Sequence, residues 1–471
     1  MHRVIIFKYR IHLSVFIFLV YLPIFPQSAY TETFNVTNED ELREALSSAE
    51  SNGEDDTINV ATGLYETHGE TFIFESDEDF SLTIEGKGAG KTIMDGGDMD
   101  RVLEINSVSD ADVFISIKGL TIRDGFHVSI PGDLSISNGG GIYVVSQNLT
   151  IEDCEFISNS ESRVGNGGGL FANIQQTINL SGNLFSQNSA AFSGGGAYIS
   201  ATELILSDNE FIMNSSALGD GGGLTIDANT MHLPATGSCD ATITNNIFNS
   251  NSTFEKGGGL AVSLYCNNFD YEIINNTFTL NTSENNGGGI SLSATADSLD
   301  FLMQLFTLDV YNNIIFDNFA TGNGGDIYFS IFHEVQEHNF YLLNNDFSDF
   351  CYISHGVGEF CTEDVNYQAN NIDEDPLFVD AATGDVRLQP NSPCINAGDP
   401  DAPDLPDTDI FGNPRGAIPD MGAVEFLKAV DGHGRKSGCS LTQAPVTSSL
   451  AVFIAIPVLI LIRRIFNRCS G

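Results

Sequence analysis

Tryptophan is absent from the chain, and cations are scarce: 19 Lys+Arg stand against 63 Asp+Glu over 471 residues. The missing indole removes the best stacking platform for a sugar ring, so any such platform must be built from Tyr or Phe. Both ends carry basic residues and no acidic ones, which leaves 30–438 with 13 basic against 63 acidic side chains, a formal charge of −50. A field of that sign repels phosphate backbones and excludes nucleic acid as a partner; it also disfavours polyanionic substrates. Of the eight Cys, none forms a CxxC or Cys/His pattern of the zinc type, so a structural thiolate metal site is not expected.

The ends read as addresses. Arg3, Lys8 and Arg10, an apolar stretch Ile11–Phe25 and the small residues Ser28 and Ala29 have the layout of a secretory signal peptide over 1–29. At the other end, Gly438-Cys439-Ser440 precedes a 13-residue apolar run, Leu450–Ile462, and then Arg463, Arg464 and Arg468. Extended back to Ala444, the run reaches a length that just spans a bilayer, with the basic cluster on the cytoplasmic side. Two readings stay open: a single-span anchor, or a processed sorting tail resembling the tripartite signals of bacterial surface proteins. Either way the acidic body is expected outside the cell, on a bacterial surface, attached to membrane through this tail.

Export permits disulfides. Cys154, Cys239, Cys266, Cys351, Cys361 and Cys394 allow 15 pairings, and only the nearest pair, Cys351 with Cys361, is singled out.

A repeat fills the centre: apolar-x-apolar-x-x-Asn-x-Phe-x-x-Asn, then Gly-Gly and another apolar-x-apolar pair. The Phe position holds Phe156, Phe185, Phe211, Phe248, Phe278, Ile315 and Phe347. Two residues earlier stand Cys154, Asn183, Asn209, Asn246, Asn276, Asn313 and Asn345; three residues later stand Asn159, Asn188, Asn214, Asn251, Asn281 and Asn318. Units run from 26 to 37 residues, the long ones holding polar insertions near 231–240 and 294–305. Alternation over three to five residues is strand spacing, and short strands recurring at this period define a β-solenoid. Stacking one coil on the next at ~4.8 Å turns each repeat position into a column, so Phe and Ile/Leu columns form the core. Asn tolerates the left-handed corner and can ladder its amide along the stack. Gly and Asn at this density exclude helical repeats.

Upstream, Thr57–Val60, Ser81–Ile84 and Phe114–Ile117 alternate like strands, and Gly119–Gly125 reads as one more corner. Before them Leu42, Ala45, Leu46 and Ala49 lie on one face of a helix over 37–50, with Thr37 and Asp40 as a capping box. Its place is to cover the open end of the solenoid.

These segments resemble known families. Phe34–Leu46, Thr57–Tyr65 and Ile84-Glu-Gly86 look like the start of right-handed parallel β-helices of the pectin-lyase-like superfamily. The FxxN units alternating with GG(L/I/A) resemble repeats of polymorphic outer-membrane proteins. A block over 370–426, including Asn371–Asp380, Asn391–Asp399, Asp409–Arg415 and Asp420–Glu425, looks like the choice-of-anchor Q module, with Cys394 and Asn396 where that family more often has Ala and Asp. The resemblance implies an all-β fold: a right-handed parallel β-helix of about ten coils with an N-terminal capping helix. The expected plan is a signal peptide (1–29), N-terminal cap (30–56), β-helix (57–350), C-terminal cap and anchor-like module (351–426), linker (427–449) and tail (450–471).

Such folds host lyases, hydrolases, adhesins and spikes alike. Polyuronate lyases on this fold need a basic proton abstractor and cations for sugar carboxylates, yet between Arg123 and Arg387 only Arg163 and Lys256 occur. Hydrolases need two carboxylates at a set separation; Asp153, Asp208, Asp220 and Asp227 are the available acids, but the polygalacturonase series is missing in its order. Gly432-His433-Gly434 falls in the linker, and His232, His333, His338 and His355 read as loop residues. Asp399, Asp401, Asp404, Asp407 and Asp409, among three prolines, read as a solvated acidic turn, with calcium as the alternative. No other cofactor is expected. Tyr143, Phe171 and Tyr198 point outward and form a possible aromatic stripe. The reading is a monomeric, non-catalytic surface protein for adhesion or architecture, its partner a surface glycan or protein; the alternative is a polysaccharide lyase or glycoside hydrolase.

Overall fold

The computed structural model describes residues 31–427, apart from 110, 129–137, 163–164, 230–237, 267, 296–304, 333–336, 355–360 and 362–366. The signal-peptide and tail readings, and most of both polar insertions, lie outside the described residues. Among the described residues no helix is long and apolar enough to cross a membrane.

The repeat folds as a parallel β-helix. In one coil the chain passes through Asn148–Glu152, Glu155–Ile157, Ser160–Ser162 and Leu170–Ile174 before returning. Among the described residues these strands belong to four sheets of 12, 10, 7 and 10 strands, called here the first to the fourth in that order. Their neighbours are the equivalent strands one coil away, in parallel register, as with Phe156 beside Phe185 and Leu149 beside Ile178. Among the described residues the third sheet holds seven short strands, from Phe126–Val128 to Phe319–Ala320, and gives the coil a further side.

Register makes columns. The rings of Phe156, Phe185, Phe211, Phe248 and Phe278 stack with centroids 4.5–4.8 Å apart and nearly parallel planes. Each ring is buried, so the stack adds aromatic contact to the transfer of large apolar side chains out of water.

The two Asn columns are continuous ladders. Asn209 shows the unit: its Oδ1 accepts from the backbone N and Nδ2 of Asn183, both at 3.0 Å, while its own Nδ2 donates to Asn246 Oδ1 and to Leu180 O. All four hydrogen-bonding positions of a buried amide are thereby filled. This ladder begins at Cys154 N and runs through Asn313 and Asn345 to Asn371. The second runs from Asn159 to Asn318 and ends on Asp326, which replaces the third glycine of its run. The glycine runs before the fourth-sheet strands of the repeat are sterically required: Gly257 has φ +69°, and a Cβ on Gly258 would overlap the carbonyl oxygens of Gly288 and Thr282.

Helix α1 (Glu39–Ala49) buries Leu42, Ala45, Leu46 and Ala49 at the N-terminal end of the core. The cap differs from the expected one. Asn38 is the N-cap, accepting from Glu41 N, and Glu41 reaches back to the N and Oγ1 of Thr37. The extended backbone at Asn38 places that residue one step ahead of the helix, which moves the box along by one position.

Residues 370–426 fold back along the outside of the later coils. Val386, Ala423 and Val424 pack on Ile247; Leu388, Cys394 and Met421 pack on Ile314. At the corner between the first and second sheets, Asn245, Asn275, Asn312 and Asn344 hold left-handed backbone and donate their side-chain amides to carbonyls of this segment: Thr408, Asp420 with Gly422, Asp399 and Ala397, respectively. The three coils before these have Asp153, Gly182 and Asp208 at the same corner. Disulfides join Cys239 to Cys266 and Cys351 to Cys361, while Cys154 and Cys394 are free and buried.

Candidate functional site

The four acids considered for catalysis do not form one cluster, although Asp220 and Asp227 come close enough for the Asp227 charge to help raise the Asp220 pKa. Asp153 and Asp208 occupy corners with positive φ, and Asp208 accepts from Asn245 Nδ2 at 3.1 Å. Asp220 precedes a glycine run and accepts from Lys256 N at 2.9 Å. Asp227 lies on the outer face of the fourth sheet and accepts from Tyr198 Oη at 2.6 Å. Burial raises the pKa of Asp208 and of Asp220 above the ordinary carboxylate value, the Asn245 and Lys256 N bonds opposing it. Each of these last three acids serves as a bonded acceptor.

The aromatic row exists but is built differently from a sugar platform. Tyr143, Phe171 and Tyr198 stack face to face at 5.3 Å, so their faces are spent on one another. Phe171 is only 8% exposed, and the Arg101 guanidinium lies 4.9 Å from the Tyr143 ring centroid, over its free side. Parallel in-register strands impose this: equivalent side chains one coil apart are too close to lie flat on the surface.

The acidic turn is likewise divided. Asp399 Oδ1 accepts from Asp401 N, and Asp409, almost fully buried, accepts from Phe411 N, Asn413 N, Asn413 Nδ2 and Glu425 N. Asp404 faces Glu272 of the first sheet, and the carbonyl of Asp407 accepts from Arg415 N. The five Asp therefore do not share one centre, because the alternating prolines and local Asx bonds turn them in different directions. Among the described residues no group of three or more His, Cys, Asp or Glu is arranged to hold a metal ion.

One polar set escaped the sequence reading. His127 Nδ1 lies 3.2 Å from Asp100 Oδ1, and Glu161 is its register partner on the next coil. Burial raises the Glu161 pKa to about 7, against backbone donors that include Ala191 N at 2.6 Å. Its Oε2 is buried with no hydrogen-bond partner. For Asp100 the hydrogen bonds from His127 and Arg101 N outweigh burial and lower its pKa. The only local sign is Phe126-His-Val128 following the Gly125 corner. Of the histidines read as loop residues, His338 instead sits on strand Glu337–Leu343, while His232, His333 and His355 lie outside the described residues. Gly432-His433-Gly434 and Arg163 are outside them too.

The architecture defines a parallel β-helix protein. A family model described as "Right handed beta helix region" matches residues 101–306, which adds the hand to the fold. Four chains among solved structures match; one is a PL6-family polysaccharide lyase from Pseudopedobacter saltans, with TM-score 0.27 and 12% identity over 76% of this chain and 97% of that chain. A likeness of that size carries no argument about activity. No curated protein matches.

Proposed function

We propose that the chain is an exported, cell-surface-anchored β-helix with a binding or architectural role and no catalytic one. The observation that carries the reading is that Asp208, Asp220 and Asp227 are each engaged as a hydrogen-bond acceptor, Asp208 at the corner between the first and second sheets and the other two beside the fourth, where hydrolysis needs two free carboxylates facing one bond. Two disulfides fit an oxidising compartment, and the rigid stack of coils suits display of a surface away from the membrane. The partner class is a surface glycan or protein met on the outward sheet faces. A glycan-array and polysaccharide-degradation screen on the purified protein tests this: binding without turnover supports it, and release of reducing ends or unsaturated uronates overturns it.

A second reading, a carbohydrate-active enzyme, is favoured by Asp100, His127 and Glu161, since a carboxylate on Nδ1 leaves Nε2 as a base beside a carboxyl group raised toward neutrality. Turnover abolished by His127→Ala is what that reading requires.

A further inference from the structure

Residues 399–409 cross the outer face of the first sheet as a strap. Asn312 holds one end through both its Oδ1, which accepts from Asp399 N at 2.6 Å, and its Nδ2, which donates to Asp399 O at 3.0 Å. Asn245, two coils back, holds the other end through Thr408 O at 2.8 Å. On the coil between them Glu272 projects toward the middle of the strap, where its carboxyl group lies close enough to that of Asp404 to interact with it directly. Glu272 Oε2 and, one strand on, Asp309 Oδ1 are buried with no hydrogen-bond partner, so this crossing holds more acceptors than donors.

We propose that the strap is held by a proton: Glu272 and Asp404 share one across the crossing, and loss of that proton turns the contact into repulsion and lifts the strap from the sheet. Two carboxyl groups brought together under a strap pinned at both ends, with Glu272 Oε2 buried and unpartnered, disfavour double ionisation, and one proton between them relieves the repulsion. The surroundings reinforce this. Asp270 faces the pair from Glu272's own strand, Asp240 from the preceding one, Asp309, Tyr311 and Tyr341 from the following ones, and Asp399 from the strap. None of the described ion pairs reaches Glu272, Asp404, Asp270 or Asp309. Burial, then the bond to Asp404 and its charge, raise the Glu272 pKa to about 8, and burial with the Asp270 charge raises that of Asp309 to about 6.

The sign follows. The closed strap retains a proton that the open strap gives up near the ordinary carboxylate pKa, so opening becomes easier as pH rises from about 5 to about 8 and levels off above. The device goes beyond the proposed surface role and does not depend on it. The test is amide hydrogen exchange on the full-length protein, followed in peptides covering 399–409 between pH 5.5 and 9 and corrected for intrinsic rates. The expected result is an opening constant that rises by up to about tenfold per pH unit below pH 8. In Glu272→Gln the amide donates at every pH, so the strap stays closed and the dependence flattens. Asn312→Ala should raise strap exchange at every pH while central-coil peptides stay protected, which confirms that the readout follows the strap. Equal strap protection at pH 5.5 and 8.5 in the wild type, or the wild-type dependence persisting in Glu272→Gln, overturns the proposal.

Discussion

Asp326 Oδ1 accepts from both the backbone N and the Nδ2 of Asn318, at 3.2 and 3.0 Å, and so fills the place that the next asparagine would have taken. Its Oδ2 accepts from the N and Oγ of Ser348 and from Asp349 N. Asp326→Gly would restore the third glycine found in the other runs, yet it removes the acceptor for five donors at a fully buried site. Hydrogen bonds to a charged group contribute about 1.5–3 kcal/mol each and unsatisfied donors cost a similar amount, so the repeat-matching substitution should destabilise by at least about 3 kcal/mol. Chemical denaturation of the two proteins measures it; equal midpoints would show that the ladder needs no terminator.

In mid-ladder, Asn251 accepts from Asn214 N and Nδ2 and donates to Phe211 O and Asn281 Oδ1. Asn251→Ala leaves the N and Nδ2 of Asn214 without their acceptor and takes the side-chain donor from Phe211 O, while Asn281 Oδ1 keeps only the bond from the residue 251 backbone N. The expected loss is about 3 kcal/mol or more. Phe248→Ala, which opens the adjacent ring stack, should cost a comparable 3–5 kcal/mol through cavity formation. Thermal melts compare a polar column with an apolar one in the same coil.

The columns were legible because a solenoid converts a sequence period into spatial stacking: Phe185 lies on Phe211 as a direct result of their equivalent repeat positions. The docking of 370–426 has no such period. Its anchors were nevertheless in plain sight as the doublets Asn245-Asn246, Asn275-Asn276, Asn312-Asn313 and Asn344-Asn345, where the second residue continues the ladder and the first holds the docked segment. Only the second was read, since the first has the same backbone role as Asp153 or Asp208. The pairing of Cys239 with Cys266 was hidden among 15 possibilities, and Asp100 met His127 only through coil stacking. The outward direction of Tyr143, Phe171 and Tyr198 followed from alternation, but the loss of their faces to one another needed the ring planes.

Arg415 bridges the docked segment and the solenoid. Its Nη2 donates to Asn245 Oδ1 at 2.6 Å and to Gly422 O, and its Nη1 pairs with Glu425 Oε2 at 3.3 Å. Both charged side chains are more than nine-tenths buried. Arg415→Met leaves Glu425 in the interior without its cation, a change worth about 3–5 kcal/mol. Amide exchange should report it in Asp385–Leu388 and in 409–426, with the coils before Asn209 unaffected. Uniform loosening of the whole chain would show that the segment is required for the solenoid to fold.

The Cys239–Cys266 bridge closes a separation of 27 residues. On the chain-entropy account its removal costs about 3–4 kcal/mol. Cys239→Ser with Cys266→Ser should therefore lower the melting temperature, and a reducing agent should do the same to the wild type but not to a variant lacking both bridges. A wild-type melt unmoved by reductant would count against a stabilising role for the bridges and weaken the extracellular assignment.

Acidity should stabilise this protein. Burial raises the carboxyl pKa of Glu161 and Asp346 to about 7, of Asp309 to about 6 and of Glu272 to about 8. The folded chain therefore binds protons that the unfolded chain has released, and by linkage stability is full below the ordinary carboxylate pKa and declines as pH rises through these values. Repulsion within a body of formal charge −50 acts in the same direction, but it is long-ranged and screened by salt, whereas burial of a carboxylate is not. The expected melting temperature is higher at pH 5.5 than at pH 8.5. Raising sodium chloride to 0.5 M at pH 8.5 should recover only part of the difference. Full recovery would assign the effect to surface repulsion and leave the buried carboxyl groups without influence; a melting temperature that rises toward pH 8.5 would contradict both.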